Sequence, residues 1–171
     1  MQLHKLKKNE SRTQDGEPVH LTQKAIEELK EHLAKLKRRL PDLALEAQRT
    51  AAYGDRSDNA EYKQAKGALR RAHYQIFEIE TKLKFAVPIP TGPNTTGAVH
   101  LGSTVVLEPK GGETSTRKTY EILGPHETNP AEGRISYLSP LGAALIGHKK
   151  DDMIAITTGD RERVYRIVEI S

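Results

Sequence analysis

Apolar positions along this chain repeat in two long blocks separated by a short polar break. In the first block Ile26, Leu29, Leu33, Leu36, Leu40, Leu43 and Ala47 step alternately by three and four residues. In the second, Tyr62, Ala65, Leu69, Ala72, Ile76, Ile79, Leu83 and Ala86 keep the same step. That alternation is the a/d seam of two helices packed on each other. The break, Asp55-Arg56-Ser57-Asp58-Asn59-Ala60-Glu61-Tyr62, is too short for a parallel return, so the pattern predicts an antiparallel α-hairpin. Thr22 is the expected N-cap of the first helix. Pro41 removes one backbone donor, yet the heptad phase runs through it, which predicts one helix over residues 22–52, about 45 Å long. The polar break then lies at the far end of a rod, away from any core.

The prolines of Val87-Pro88-Ile89-Pro90-Thr91-Gly92-Pro93 end the second helix, and residues 91–97 read as a linker. Beyond it the periodicity changes to short strands, expected at 98–107, 117–123, 134–137, 153–157 and 163–170, with turns at Gly111-Gly112 and Gly159-Asp160. One short helix interrupts them, with Ser139 as N-cap, Pro140 in its first turn and Gly147 as its stop. The expected organisation is a disordered basic extension over 1–20, a coiled-coil hairpin over 21–90 with an acidic tip at 54–62, and a C-terminal α+β domain over 98–171.

Composition bounds what such a chain can do. It has 171 residues, 36% hydrophobic and 29% charged, with no cysteine, which excludes disulfides and thiolate metal sites. No apolar run approaches a membrane span, so a cytoplasmic location without membrane association is expected. The seven histidines are scattered and Gly111-Gly112-Glu113 lacks the lysine of a phosphate loop, so no free-standing active site is legible. The net charge is +4, and its placement matters more than its size. Between positions 49 and 73 stand Arg49, Arg56, Lys63, Lys66, Arg70 and Arg71 against Asp55, Asp58 and Glu61. Positive charge therefore gathers on the distal half of the rod, around the tip.

The tip itself admits two readings. Asp55 and Asp58 are three apart, so in helical or tight-turn geometry their carboxylates share a face, with ~5–6 Å between Cβ atoms. Such a pair can contribute to holding Mg²⁺, which takes one or two protein carboxylates and completes its octahedron from water and phosphates. Alone the pair is too weak a site. The other reading is structural: Asp58-x-x-Glu61 is a capping-box-like start for the second helix, and the basic residues form a solvated face.

Motifs carry the reading further. Gly54-Asp55-Arg56-Ser57-Asp58-Asn59-Ala60-Glu61-Tyr62 resembles the tip signature of the bacterial Gre (GreA/GreB) transcript-cleavage factors. The region of Arg39 and Pro41, the opening Thr96-Gly97-Ala98-Val99 with Gly102-Ser103-Thr104-Val105, and Ser139-Pro140-Leu141-Gly142-Ala143-Ala144-Leu145-Ile146-Gly147 are similar to three more of that family's motifs, in the same order. The resemblance spans about residues 18–170 and implies an FKBP-like α+β fold for the C-terminal domain.

It also implies a function. The hairpin would enter the secondary channel of bacterial RNA polymerase, and the protein would be a monomer that stimulates the polymerase's own cleavage of backtracked nascent RNA without being an enzyme itself. By position, Asp55 and Asp58 would be metal ligands and Ser57 would orient the tip or a water, with Mg²⁺ shared with the polymerase and none bound alone. Arg56, Lys63, Lys66, Arg70 and Arg71 would face phosphates near the nascent RNA 3′ end. Ser139 and Pro140 would dock the second domain on the polymerase rim. One departure stands out: Asp58 replaces the family's usual Glu, a reach shorter by about 1.5 Å. It motivates the alternative of a secondary-channel regulator that inhibits the polymerase without stimulating cleavage.

Overall fold

The computed structural model describes residues 17–52, 59–90, 92, 94–110, 117–158 and 161–171. In chain order the elements are β1 (Val19–Leu21), α1 (Gln23–Ala51), α2 (Ala60–Lys84), β2 (Ala86–Pro88), β3 (Thr104–Pro109), β4 (Lys118–Leu123), a 3₁₀ turn (Pro130–Glu132), β5 (Arg134–Ser136), α3 (Pro140–Leu145), β6 (Met153–Thr158) and β7 (Arg161–Ile170).

The heptads build the hairpin. Thr22, in extended backbone, caps α1 by accepting the Ala25 N–H at 3.2 Å. The helix continues through Pro41 for 29 residues without a break. Leu36, Ile76 and Ile79 are buried together with Leu29, Leu33, Leu40 and Leu83 packed around them, the wide half of the seam. Towards the tip the seam narrows to Ala65, Ala72 and Thr50. Thr50 extends the heptad one step past Ala47 and is only 2% exposed, and its hydroxyl is satisfied by donating to the Glu46 carbonyl at 2.8 Å. The Lys37–Glu80 ion pair at 2.6 Å crosses between the helices on the surface, where such pairs contribute little.

The base of the hairpin differs from expectation. α2 ends at Lys84, so Ala86 belongs to a strand and not to the seam. β2 pairs in parallel with β1, matching Val19 to Ala86 and Leu21 to Pro88. The expected disordered extension over 1–20 therefore ends before Val19, and residues 1–16 lie outside the described residues. The physical reason is burial: Val19 and Leu21 are 3% and 1% exposed and pack with Ile26, beside Leu83 and Phe85. Pro88 fits because it closes the short ladder, where its missing N–H costs nothing.

The C-terminal unit is an α+β domain. Its five strands lie in the order β5-β4-β3-β7-β6, all antiparallel neighbours except the parallel pair β4/β5. Leu107, Ile122, Leu145 and Ile167 form its fully buried centre, and α3 supplies one of them. Ser139 caps α3 as expected, accepting the Gly142 N–H at 3.1 Å and donating to the Ser136 carbonyl at 2.6 Å. The strand expected at 98–107 begins only at Thr104. Gly102 turns the chain at φ 92°, with Ile89 Cγ2 and the Pro90 carbonyl 2.8 Å from where a Cβ would stand. The expected linker is partly ordered too, since Asn94 Oδ1 accepts from the N–H groups of Thr96 and Gly97 while its amide donates to the Ala98 carbonyl.

β1 also joins the hairpin to the domain. Glu127 accepts from the Thr22 N–H at 2.7 Å and from its hydroxyl at 2.5 Å. His20 meets the edge of Tyr137 at 5.8 Å between ring centroids. Gly124 is required there because a Cβ would lie 2.1 Å from the His20 carbonyl oxygen.

Candidate functional site

An amide links the two helices at the distal end of the hairpin. Asn59, in extended backbone, is the N-cap of α2, and its Oδ1 accepts the Tyr62 N–H at 3.0 Å. Its Nδ2 donates to the Thr50 carbonyl at the end of α1, at 2.9 Å. Asn59 thus ties the last turn of one helix to the first turn of the other, across the loop that joins them. The cap position belongs to Asn59 and not to Asp58, which corrects the capping-box reading. Asn and Asp are about equal as N-caps, but only Asn carries a donor for the second bond.

Asp55, Arg56, Ser57 and Asp58 lie outside the described residues. Their donor chemistry fits Mg²⁺ in part: two carboxylates and a hydroxyl are hard oxygen ligands, and they leave much of an octahedral shell to other sources. Among the described residues no cluster of His, Asp and Glu could hold a metal ion.

The predicted basic residues are placed by α2. Lys63, Lys66 and Arg70 are exposed and, at 100° per residue, fall on one face, turned well away from the seam of Ala65, Ala72 and Ile76. The Lys66 ammonium lies 5.5 Å from the centroid of the Tyr62 ring. Arg71 stands off that face, with its guanidinium folded back beside Gly67. On the opposite side of the distal hairpin, Glu46, Arg49 and Glu61 line a shallow cleft. There Glu46 accepts from Arg49 at 2.8 Å, and that hydrogen bond holds its carboxyl below the usual range.

Ser139 and Pro140 sit at the start of α3. Both sides of the Ser139 hydroxyl are used within the turn, so its role there is to shape α3. The exposed apolar surface is supplied by Leu138 and Ile146, 65% and 41% exposed, which flank that helix and which sequence reasoning missed. Their hydropathy alone did not separate them from the core residues beside them.

Comparison with known proteins matches this architecture piece by piece. The N-terminal model of the transcription elongation factor GreA/GreB family covers residues 19–87, and the C-terminal model covers 94–171. The chain is 38% identical over 142 residues to transcription elongation factor GreA of Zymomonas mobilis, covering 83% of this chain and 88% of that one. It is 35% identical over 133 residues to GreA of Treponema pallidum, covering 78% and 81%. Among solved structures, GreA factor homolog 1 of Thermus thermophilus is 29% identical over 90% of this chain and 99% of that one, with a TM-score of 0.40. Two family models that together span both units of the chain, and relatives at this identity over most of their length, place it: the chain belongs to the GreA/GreB transcription elongation factor family.

Proposed function

We propose that this protein is a transcription elongation factor that inserts its hairpin into the secondary channel of bacterial RNA polymerase and stimulates cleavage of backtracked nascent RNA. The observation that carries the reading is the distal hairpin: a long two-helix rod whose ends are tied by Asn59 around the Asp55-to-Asp58 loop, with exposed cations running back from it along α2. A site so far from the protein's own cores is suited to completing another molecule's centre.

In that role Asp55 and Asp58 would hold Mg²⁺ jointly with ligands of the polymerase, and the ion would supply charge stabilisation for attack of water on a phosphodiester. Ser57 orients the loop or the attacking water. Asn59 ties Thr50 at the end of α1 to the start of α2, which sets the spacing of the two residues that bracket the tip segment. Arg56, Lys63, Lys66 and Arg70 hold extruded RNA through its phosphates, a contact that ignores sequence. Arg71 adds charge from the neighbouring face. The α3 region, with Ser139 setting the turn and Pro140, Leu138 and Ile146 exposed, docks the C-terminal domain on the rim of the channel.

Adding the protein to a stalled, backtracked elongation complex with Mg²⁺ tests the reading. Shortened RNA and resumed extension are expected. Blocked nucleotide addition with intact RNA would instead assign the protein to channel-occupying inhibitors, the alternative that Asp58 in place of Glu raises.

A further inference from the structure

The cationic face of α2 does not stop at Arg70. Tyr74 and Phe77 continue it, four and seven residues on, and they are 61% and 62% exposed although both are large and apolar. Phe77 is one of only two phenylalanines in the chain. Neither ring belongs to a core cluster, and helical geometry turns Tyr74 about 165° and Phe77 about 135° away from the seam of Ala72, Ile76 and Ile79. Read along the helix, the face runs Lys63, Lys66, Arg70, Tyr74, Phe77 over about 21 Å, with no carboxylate on it. Glu78 and Glu80 lie to either side, and Glu80 is paired with Lys37.

A solitary exposed ring needs no explanation, but two on adjacent turns in line with three cations form a surface. We propose that Tyr74 and Phe77 are a base-stacking platform for single-stranded RNA, and that they extend the phosphate-binding face away from the tip. The inference rests on the RNA-contacting role assigned above to Lys63, Lys66 and Arg70. Cations that track a backbone beside rings on which bases stack are the two components of sequence-tolerant single-strand binding. A protein wall would fit the two rings equally well by hydropathy, but it would leave the line of cations without a counter-charge. RNA satisfies both. Longer extruded RNA would therefore gain more from this face than a short 3′ end that reaches only the tip.

The main readout is direct RNA binding, with polymerase affinity as the control. The full-length protein is titrated against a fluorescently labelled, unstructured oligoribonucleotide at low salt and read by anisotropy. Tyr74→Ala and Phe77→Ala should each weaken binding about tenfold. They should leave the dependence of log K on log salt unchanged, whereas Lys63→Ala or Arg70→Ala should lower that slope by about 0.7. Phe77→Trp should bind at least as well as the natural protein. An abasic strand of the same length should bind the natural protein as weakly as normal RNA binds the doubly substituted one. Wild-type RNA affinity in both alanine variants would overturn the proposal, and if those variants also lost affinity for RNA polymerase the face would be assigned to a protein contact. Either outcome leaves the cleavage assay untouched, so the failure of one reading is distinguishable from failure of the other.

Discussion

Asn59→Asp isolates the bond from the Asn59 amide to the Thr50 carbonyl. The carboxylate keeps the acceptor for the Tyr62 N–H and adds negative charge at a helix N-terminus, worth about 0.3–1 kcal/mol. It cannot donate to the Thr50 carbonyl, so a hydrogen bond worth about 1 kcal/mol is lost and two oxygens are left facing each other. The lost bond and the facing oxygens outweigh the gain, and the unfolding free energy should fall by about 1 kcal/mol. Asn59→Ala loses the bond to Thr50 and the cap bond from the Tyr62 N–H, and should cost about 2 kcal/mol. Activity should separate the variants differently from stability. Without the tie to Thr50 the start of α2 loses its side-chain bond to the end of α1, and displacement of a reacting group by about 1 Å can cost as much as a hundredfold in rate. Both variants should therefore stimulate RNA cleavage at least tenfold less well at saturating protein, while Asn59→Asp unfolds less readily than Asn59→Ala. Urea unfolding and single-turnover cleavage in a backtracked complex measure the two quantities. Full cleavage by Asn59→Asp would refute the argument that the amide positions the tip.

Two further predictions concern the joint between hairpin and domain. Glu127→Ala leaves the Thr22 N–H and hydroxyl without their acceptor and should destabilise the protein by about 2–3 kcal/mol in urea unfolding, with faster amide exchange at Thr22. A loss below about 0.5 kcal/mol would show that the contact contributes nothing. Partial desolvation of the surface-exposed ring, reinforced by the Lys82 ammonium and opposed by Glu78 and Glu127, holds His126 below the ordinary imidazole value of 6.5. The unfolded chain then binds a proton that the folded chain refuses. The stability from His126 is fully present above pH 6.5 and falls as pH drops from there towards the lowered value. His126→Gln should flatten that limb of a stability-against-pH curve, and an unaltered limb would remove His126 as its cause.

The sequence made the large features legible because they are repetitive or locally determined. The heptads give both helices and their antiparallel packing, and they carry α1 through Pro41. Ser139, Pro140 and the apolar run after them give α3 with its cap, because capping depends on residues within one turn. What stayed hidden depends on residues far apart. Val19-His20-Leu21 is too short to show an alternation, and its strand exists only because Ala86–Pro88 comes alongside. Pro88 and Pro90 signalled the end of a helix truthfully but gave no sign of pairing. Thr50 reads as a polar helix residue until its hydroxyl is seen bonded to its own helix, which lets it sit in the seam. At the tip, Asp58 and Asn59 are both good caps. The partner that decides between them is the Thr50 carbonyl, nine residues away.

The proposed tip carries half of a metal site, and its other ligands would belong to the polymerase. The most direct measurement compares the natural chain with the Asp55→Ala, Asp58→Ala double variant in one backtracked complex, recording polymerase affinity and the RNA cleavage rate at saturating protein. Affinity should be unchanged, because Asn59, the cationic face of α2 and the α3 region remain, and stimulated cleavage should vanish. Cleavage that persists in the double variant would contradict the account.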